Sequence, residues 1–332
     1  MKPSQVKTAI KIAIKANRPV LVSGQPGVGK SEVIRSVAAD LKMTLIDQRA
    51  VLLDPVDLRG LPHVNGDNRA HWCSPDFLPQ IGRDGARGIL FLDELPQAPP
   101  LVQSACFQLI LDRKLGEYAL PDGWMCLAAG NNLADRANVQ AMPSPLRNRF
   151  VHIDFEHDVD DWCNWAVSNQ IRPEIIAFIR FMPKSLHNFD PNQRDAKAFA
   201  TPRSWKFASD LLAEGIPPEI EMEFISGTVG QGAATEFLGF LRTFRDLPDM
   251  DAILRDPQGT PVPTQPAALY AVATALGSRI TVANVATIMV YLARLPKEFE
   301  VVAMTDAVRR DQNIQQTANF AGWAVKNVTV MM

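Results

Sequence analysis

Apolar positions along this chain fall into two kinds of run. In the first half they form short continuous stretches, VLVSG (20–24), TLIDQ (44–48), GILFLDE (88–94) and WMCLAAGNN (124–132). Their length suits strands, and the lack of apolar/polar alternation suits a parallel sheet with helices over both faces. Helical periodicity separates them. Residues 4–16 place Val6, Ile10, Ala13 and Ile14 on one face with Ser4 as a candidate cap, and 31–41 and 99–112 read as further helices. KLGEYALPDGW reads as a hairpin, and LRNRFVHIDF (146–155) contains the last strand. After Glu156 the strand signals stop. Segments 159–170, 172–182, 203–213 and 217–245 read as helical, 248–266 as a Pro/Gly/Asp linker, and 267–278, 282–294 and 296–309 as helices again. From 312 onward no pattern is legible.

The stretch from Arg49 to Asp84 is irregular and rich in Pro, Gly, Asp and Asn, too long for a plain connection and so an elaborated surface feature. Trp72 and Phe77 lie within it, able either to present apolar contacts or to pack the stretch onto the core.

The first strand runs straight into Gly24-Gln25-Pro26-Gly27-Val28-Gly29-Lys30-Ser31, which fits G-x-x-x-x-G-K-[ST] at every position and is followed by a helix. Glycines let the backbone wrap so that successive N–H groups point inward, and the helix adds its positive end, which together make an anion cradle. Lys30 is expected to reach the β and γ phosphates of a nucleotide, and Ser31 to fill one Mg²⁺ position. Asp93 and Glu94 close the run ILFLDE at a strand end, where ligands collect in open α/β sheets. Asp93 is expected to hold Mg²⁺ and Glu94 to act as general base on the attacking water, against the plainer reading of an acidic pair opening a surface turn.

Asn131, after CLAAG, is placed to orient that water or touch the γ-phosphate, with Asn132 as its rival and turn capping as the alternative. Arg147 and Arg149 in SPLRNRF are candidates for transition-state charge supplied to a neighbouring subunit. Arg203 in TPRSW, at a helix start favoured by Pro202, is a candidate bridge to the γ-phosphate, and a solvated surface role fits it nearly as well.

Composition narrows the classes. The 332 residues are 47% hydrophobic and 21% charged, enough for a large core and for two or three domains. With 34 basic and 36 acidic side chains the net charge is −2, so no global field favours nucleic acid or an anionic membrane. Lys184, Arg194, Lys197, Arg203 and Lys206 form a modest basic cluster in the second half, which more simply solvates a helix face. The 4 cysteines (Cys73, Cys106, Cys126, Cys163) and 5 histidines are scattered, with no C-x-x-C pair, which reads as reduced thiols rather than a zinc or disulfide framework. No run of membrane-spanning length and no secretory leader pattern occurs, so the expected location is cytoplasmic. No Asn-Lys-x-Asp guanine signal is present, which agrees with ATP.

With these residues assembled, the chain resembles the AAA+ ATPases, and within them the MoxR-like group. GQPGVGKS is like Walker A, ILFLDE like Walker B, and CLAAGNN like the sensor 1 strand with Asn131 at the matching place. SPLRNRF is similar to the arginine-finger segment, Arg149 matching better than Arg147, and TPRSW looks like sensor 2 at Arg203. The resemblance covers about residues 5–245.

It implies an α/β P-loop NTPase core with a parallel sheet over 1–156, a helical lid over 157–245, and a linker with a helical C-terminal extension over 246–332. It also implies a ring, usually a hexamer, with Mg-ATP at subunit boundaries, chaperone-like remodelling of a protein, and a partner carrying a von Willebrand factor A domain. Residues 52–62 resemble a family segment that often carries an insertion facing substrate or pore. A nucleic-acid motor or loader is the less expected alternative, and an ATP-dependent assembly switch a third, against which Glu94 speaks.

Overall fold

The computed structural model describes residues 1–64, 66, 69–135, 140, 142–193 and 195–331. The chain divides into two compact units, Met1–His157 and Asp158–Met332.

The first unit opens with α1 (Pro3–Lys15), β1 (Val20–Gly24), α2 (Lys30–Asp40) and β2 (Thr44–Arg49). The irregular stretch then proves to hold α3 (Pro55–Arg59), an antiparallel hairpin of β3 (Leu61–Val64) with β4 (Ala70–Cys73), and α4 (Ile81–Asp84). β5 (Gly88–Asp93), α5 (Pro100–Asp112), the small pair β6 (Lys114–Leu115) and β7 (Tyr118–Ala119), β8 (Trp124–Gly130), α6 (Ser144–Arg147) and β9 (Val151–Phe155) complete it.

The five long strands form one sheet in the order β2-β5-β8-β1-β9, with every pairing parallel. The continuous apolar runs follow from this, because each central strand feeds two cores. Ile89 and Phe91 of β5, with Val20 and Val22 of β1, face Val6 and Ile10 of α1 and Ile34 and Val37 of α2. Leu90 and Leu92 turn to the other side, against Val102, Cys106 and Leu109 of α5. Trp72 and Phe77 part company: Phe77 packs on this second core, whereas Trp72 is exposed.

The second unit is helical: α7 (Val159–Ser168), α8 (Pro173–Phe181), α9 (Pro202–Ala213), α10 (Pro218–Val229), α11 (Gln231–Arg245), α12 (Met250–Arg255), α13 (Pro266–Arg279), α14 (Val285–Leu292), α15 (Lys297–Arg310) and α16 (Ala318–Met331). The run 217–245 expected as one helical stretch breaks at Gly230, whose φ of 85° is open to glycine and strained for other residues. The anticipated linker contains α12, and the featureless tail contains α16.

Two apolar cores fill this unit. One centres on Phe178, Trp205, Phe237 and Phe240, with the indole N–H of Trp205 donating to Ser185 O at 2.7 Å. The other gathers α12 to α16, and α13 serves both, Ala271 packing in the first and Val272 and Leu276 in the second. Arg180 on α8 forms a two-pronged ion pair with Asp306 on α15, at 2.6 and 2.7 Å.

Candidate functional site

Three strand ends that are neighbours in the sheet deliver the sequence-picked residues to one edge. β1 pairs with β8 up to Ser23 opposite Gly130, and β8 pairs with β5. The phosphate loop leaves the carboxyl end of β1, Asp93 and Glu94 that of β5, and Asn131 that of β8. Ligands bind at this edge in open parallel sheets because side chains there escape the helical layers.

The loop has the conformation an anion cradle requires. Gly27 and Gly29 have φ of 74° and 101°, and nothing stands within 4 Å of a Cβ built on Gly29. α2 begins at Lys30, so its first N–H groups open onto the loop. Lys30 Nζ donates to Gly24 O at 2.7 Å, Gln25 O at 2.9 Å and Asn131 Oδ1 at 2.8 Å. Phosphate oxygens would compete for these same N–H groups, and Asn131 is thereby joined to the loop across 101 residues of sequence. Asn132 is engaged differently, its backbone N–H donating to Asp135 at 2.9 Å.

Ser31 Oγ donates to Asp93 Oδ2 at 2.7 Å. A hydroxyl and a carboxylate oxygen held together at the cradle are hard donors of the type Mg²⁺ takes, so these two residues fit the expected metal position. Glu94 follows in the left-handed region at φ 58°, an unusual conformation for a residue with a Cβ, and its N–H donates to Asp93 Oδ1 at 3.0 Å. Its half-buried carboxylate makes no hydrogen bond to the described residues, which leaves it available to a water.

Gln103 was missed by the sequence reading. It is fully buried on α5, and its side-chain amide donates to Pro96 O at 3.3 Å and Ala98 O at 3.1 Å, tying down the turn that follows Glu94. The one signal for it was a polar residue inside the apolar run PPLVQSACFQLILD.

Among the described residues no hydrogen bond joins the candidate arginines to this cluster. Arg147 ends α6 and Arg149 follows it, both exposed and with no side-chain hydrogen bond to the described residues. Arg203 lies exposed in the first turn of α9, in the second unit. Of the basic cluster, Lys206 is paired with Asp210 at 2.8 Å, and Arg194 lies outside the described residues.

Among the described residues no group of three or more His, Cys, Asp and Glu is placed to hold a metal, and no helix is long and apolar enough to cross a membrane. Cys106, Cys126 and Cys163 are free, buried thiols, each pushed up to about 12 by burial.

Residues 19–150 match the AAA domain family, dynein-related subfamily. The chain is 26% identical over 178 residues to midasin from Giardia intestinalis, a stretch that is 50% of this chain and 4% of that protein. Among solved structures, NtrX from Brucella abortus in complex with ATP aligns with 99% of this chain and 68% of its own, at 14% identity and a TM-score of 0.43. A mutant form of RuvB from Thermotoga maritima aligns with 82% of this chain and 81% of its own, at 17% identity and a TM-score of 0.41.

Proposed function

We propose that this chain, whose residues 19–150 form an AAA-type ATPase domain, hydrolyses Mg-ATP and uses the cycle, as a ring, to remodel a partner protein. The observation that carries the hydrolytic part is the convergence of Lys30, Ser31, Asp93, Glu94 and Asn131 on one sheet edge.

The cradle of Gly24, Gln25, Pro26, Gly27, Val28 and Gly29 holds the phosphates through backbone N–H groups. Lys30 exchanges its bonds to the loop carbonyls for phosphate oxygens. Ser31 and Asp93 would hold a Mg²⁺ ion, which would supply charge neutralisation at the phosphates. Glu94 accepts a proton from the attacking water, whose oxygen bonds to the γ-phosphorus as the bond to the β-bridging oxygen breaks, giving ADP and phosphate. Asn131, already joined to Lys30, orients that water.

The ring, the MoxR-like assignment and the von Willebrand factor A partner rest on the motif resemblance. The exposure of Arg147 and Arg149 supports a role across a subunit boundary, Arg149 being the better match. Arg203 is assigned to the γ-phosphate on the same resemblance, and residues 246–332 are read as a linker with a helical C-terminal extension.

Light scattering with and without Mg-ATP, on the Glu94→Gln form, tests the assembly. A nucleotide-favoured hexamer is expected, and a monomer at all nucleotide concentrations would overturn the ring. Mixing subunits carrying Arg149→Ala with subunits carrying Glu94→Gln should restore part of the turnover. No recovery at any ratio would refute the cross-boundary arginine.

A further inference from the structure

α10 carries two apolar faces where a surface helix needs one. Ile225 and Val229 turn inward to the aromatic core of the unit. Ile220, Phe224 and Gly227, at spacings of four and three, form an outward stripe on which Ile220 and Phe224 are 45% and 46% exposed. α9, joined to α10 by the short link 214–217, sets Phe207 beside it, 52% exposed.

Two adjoining hollows of about 430 and 420 Å³ lie between these side chains and share Gly227 and Thr228. Gly227 forms their common wall. Glycine in a helix interior disfavours the helix relative to alanine. Nothing stands within 4 Å of a Cβ built there, so no neighbour in this unit requires its absence. What the glycine does is keep the groove open.

The charge around the groove has a sign. Glu223 lines the second hollow and Glu219 lies one turn before it, both exposed and without an ion pair to the described residues. Asp210, in the first hollow, is already matched by Lys206 at 2.8 Å. A negative rim beside apolar hollows is complementary to a segment that is apolar on one face and basic beside it.

We propose that the α9–α10 groove binds an amphipathic helical segment of another protein, seating two of its apolar side chains in the hollows and a lysine or arginine against Glu219 and Glu223. The site is built wholly from the helical unit and uses no residue of the nucleotide cradle, so it is a place for a partner to engage.

The test uses the full chain and two labelled helical peptides with the same leucine stripe, one with lysines and one with glutamates on the remaining positions, titrated by fluorescence anisotropy. The lysine peptide is expected to saturate, the glutamate peptide to bind at least about tenfold more weakly, and Glu219→Lys/Glu223→Lys to invert that order. Gly227→Leu fills open space without touching the core, and Phe224→Ser trims an exposed ring. Each should weaken the lysine peptide about tenfold while circular dichroism and melting are retained.

Binding unmoved by both variants, equal for both peptides, or absent would overturn the proposal. So would a concentration-dependent dimer of this chain that Gly227→Leu abolishes, which would assign the groove to a second copy.

Discussion

Replacing Asp306 by alanine should unfold the helical unit at markedly lower denaturant. Arg180 and Asp306 meet through two hydrogen bonds at 2.6 and 2.7 Å, and their side chains are only 12% and 3% exposed. Burial works against the Arg180 charge, but hydrogen bonding and attraction to Asp306 outweigh it and hold the guanidinium above its ordinary pKa. Removing Asp306 removes that support and leaves burial to lower the pKa, but arginine's ordinary value is so high that the charge is still not shed. Breaking one side of such a pair costs about 3–5 kcal/mol, because the remaining charge is stranded away from water. With a urea slope of about 1–3 kcal/mol/M, the midpoint should fall by about 1–5 M. Asp210→Ala, which removes an exposed partner of Lys206, sets the control at about 0–1 kcal/mol. Urea titrations of the whole chain followed by far-ultraviolet circular dichroism make the comparison. Replacing both residues by leucine should recover much of the loss, since an apolar pair avoids desolvation altogether. A midpoint for Asp306→Ala matching that of Asp210→Ala would refute the argument that this pair clamps α8 to α15.

Three further outcomes concern the nucleotide unit and its thiols. Lys30→Ala should weaken ATP binding in an equilibrium titration by well over about tenfold, as it deletes the cation bonded to Gly24, Gln25 and Asn131. Glu94→Gln should leave that affinity nearly unchanged and lower turnover by about 10²–10⁴, measured as phosphate release; undiminished turnover would remove Glu94 as the base. Native protein at pH 8 should react with a thiol reagent at exposed Cys73, while Cys106, Cys126 and Cys163, pushed up to about 12, are almost wholly protonated and shielded. Because burial raises these three, their thiolates should become accessible only on unfolding, when denaturant should release the remaining reactivity.

The sheet and its phosphate loop were legible because their signals are local. Continuous apolar runs marked strands covered on both faces, and the glycine spacing before Lys30 marked the cradle. What escaped depends on contacts between distant parts of the chain. Nothing near Phe77 distinguishes it from Trp72; only the fold sends one to the α5 core and leaves the other in solvent. α16 looked featureless because its anchor, Trp323, is explained by the indole N–H donating to buried Glu300 at 2.8 Å from another helix. Gln103 reads as an interruption of an apolar helix until the carbonyls of Pro96 and Ala98 are brought to it.

The same distinction separates the candidate site residues. Parallel register fixes how far each strand end reaches, at about 3.3 Å per residue, so a one-residue slip of β5 against β8 would carry Asp93 out of hydrogen-bond range of Ser31. The pairing of Leu92 with Ala128 on one side and of Ser23 with Gly130 on the other thus sets the Ser31–Asp93 and Lys30–Asn131 contacts as directly as the loop does. Apolar side chains enforce that register, because a slip would turn Ile89 and Phe91 into the opposite core. The convergence of Lys30, Ser31, Asp93 and Asn131 is therefore a product of the hydrophobic pattern of one unit. Arg147 and Arg149 have no such constraint: they are exposed, and their side chains are unfixed by hydrogen bonds to the described residues. Under the proposed cross-boundary role their geometry would come from the neighbouring subunit, so an arginine contribution to turnover would depend on assembly.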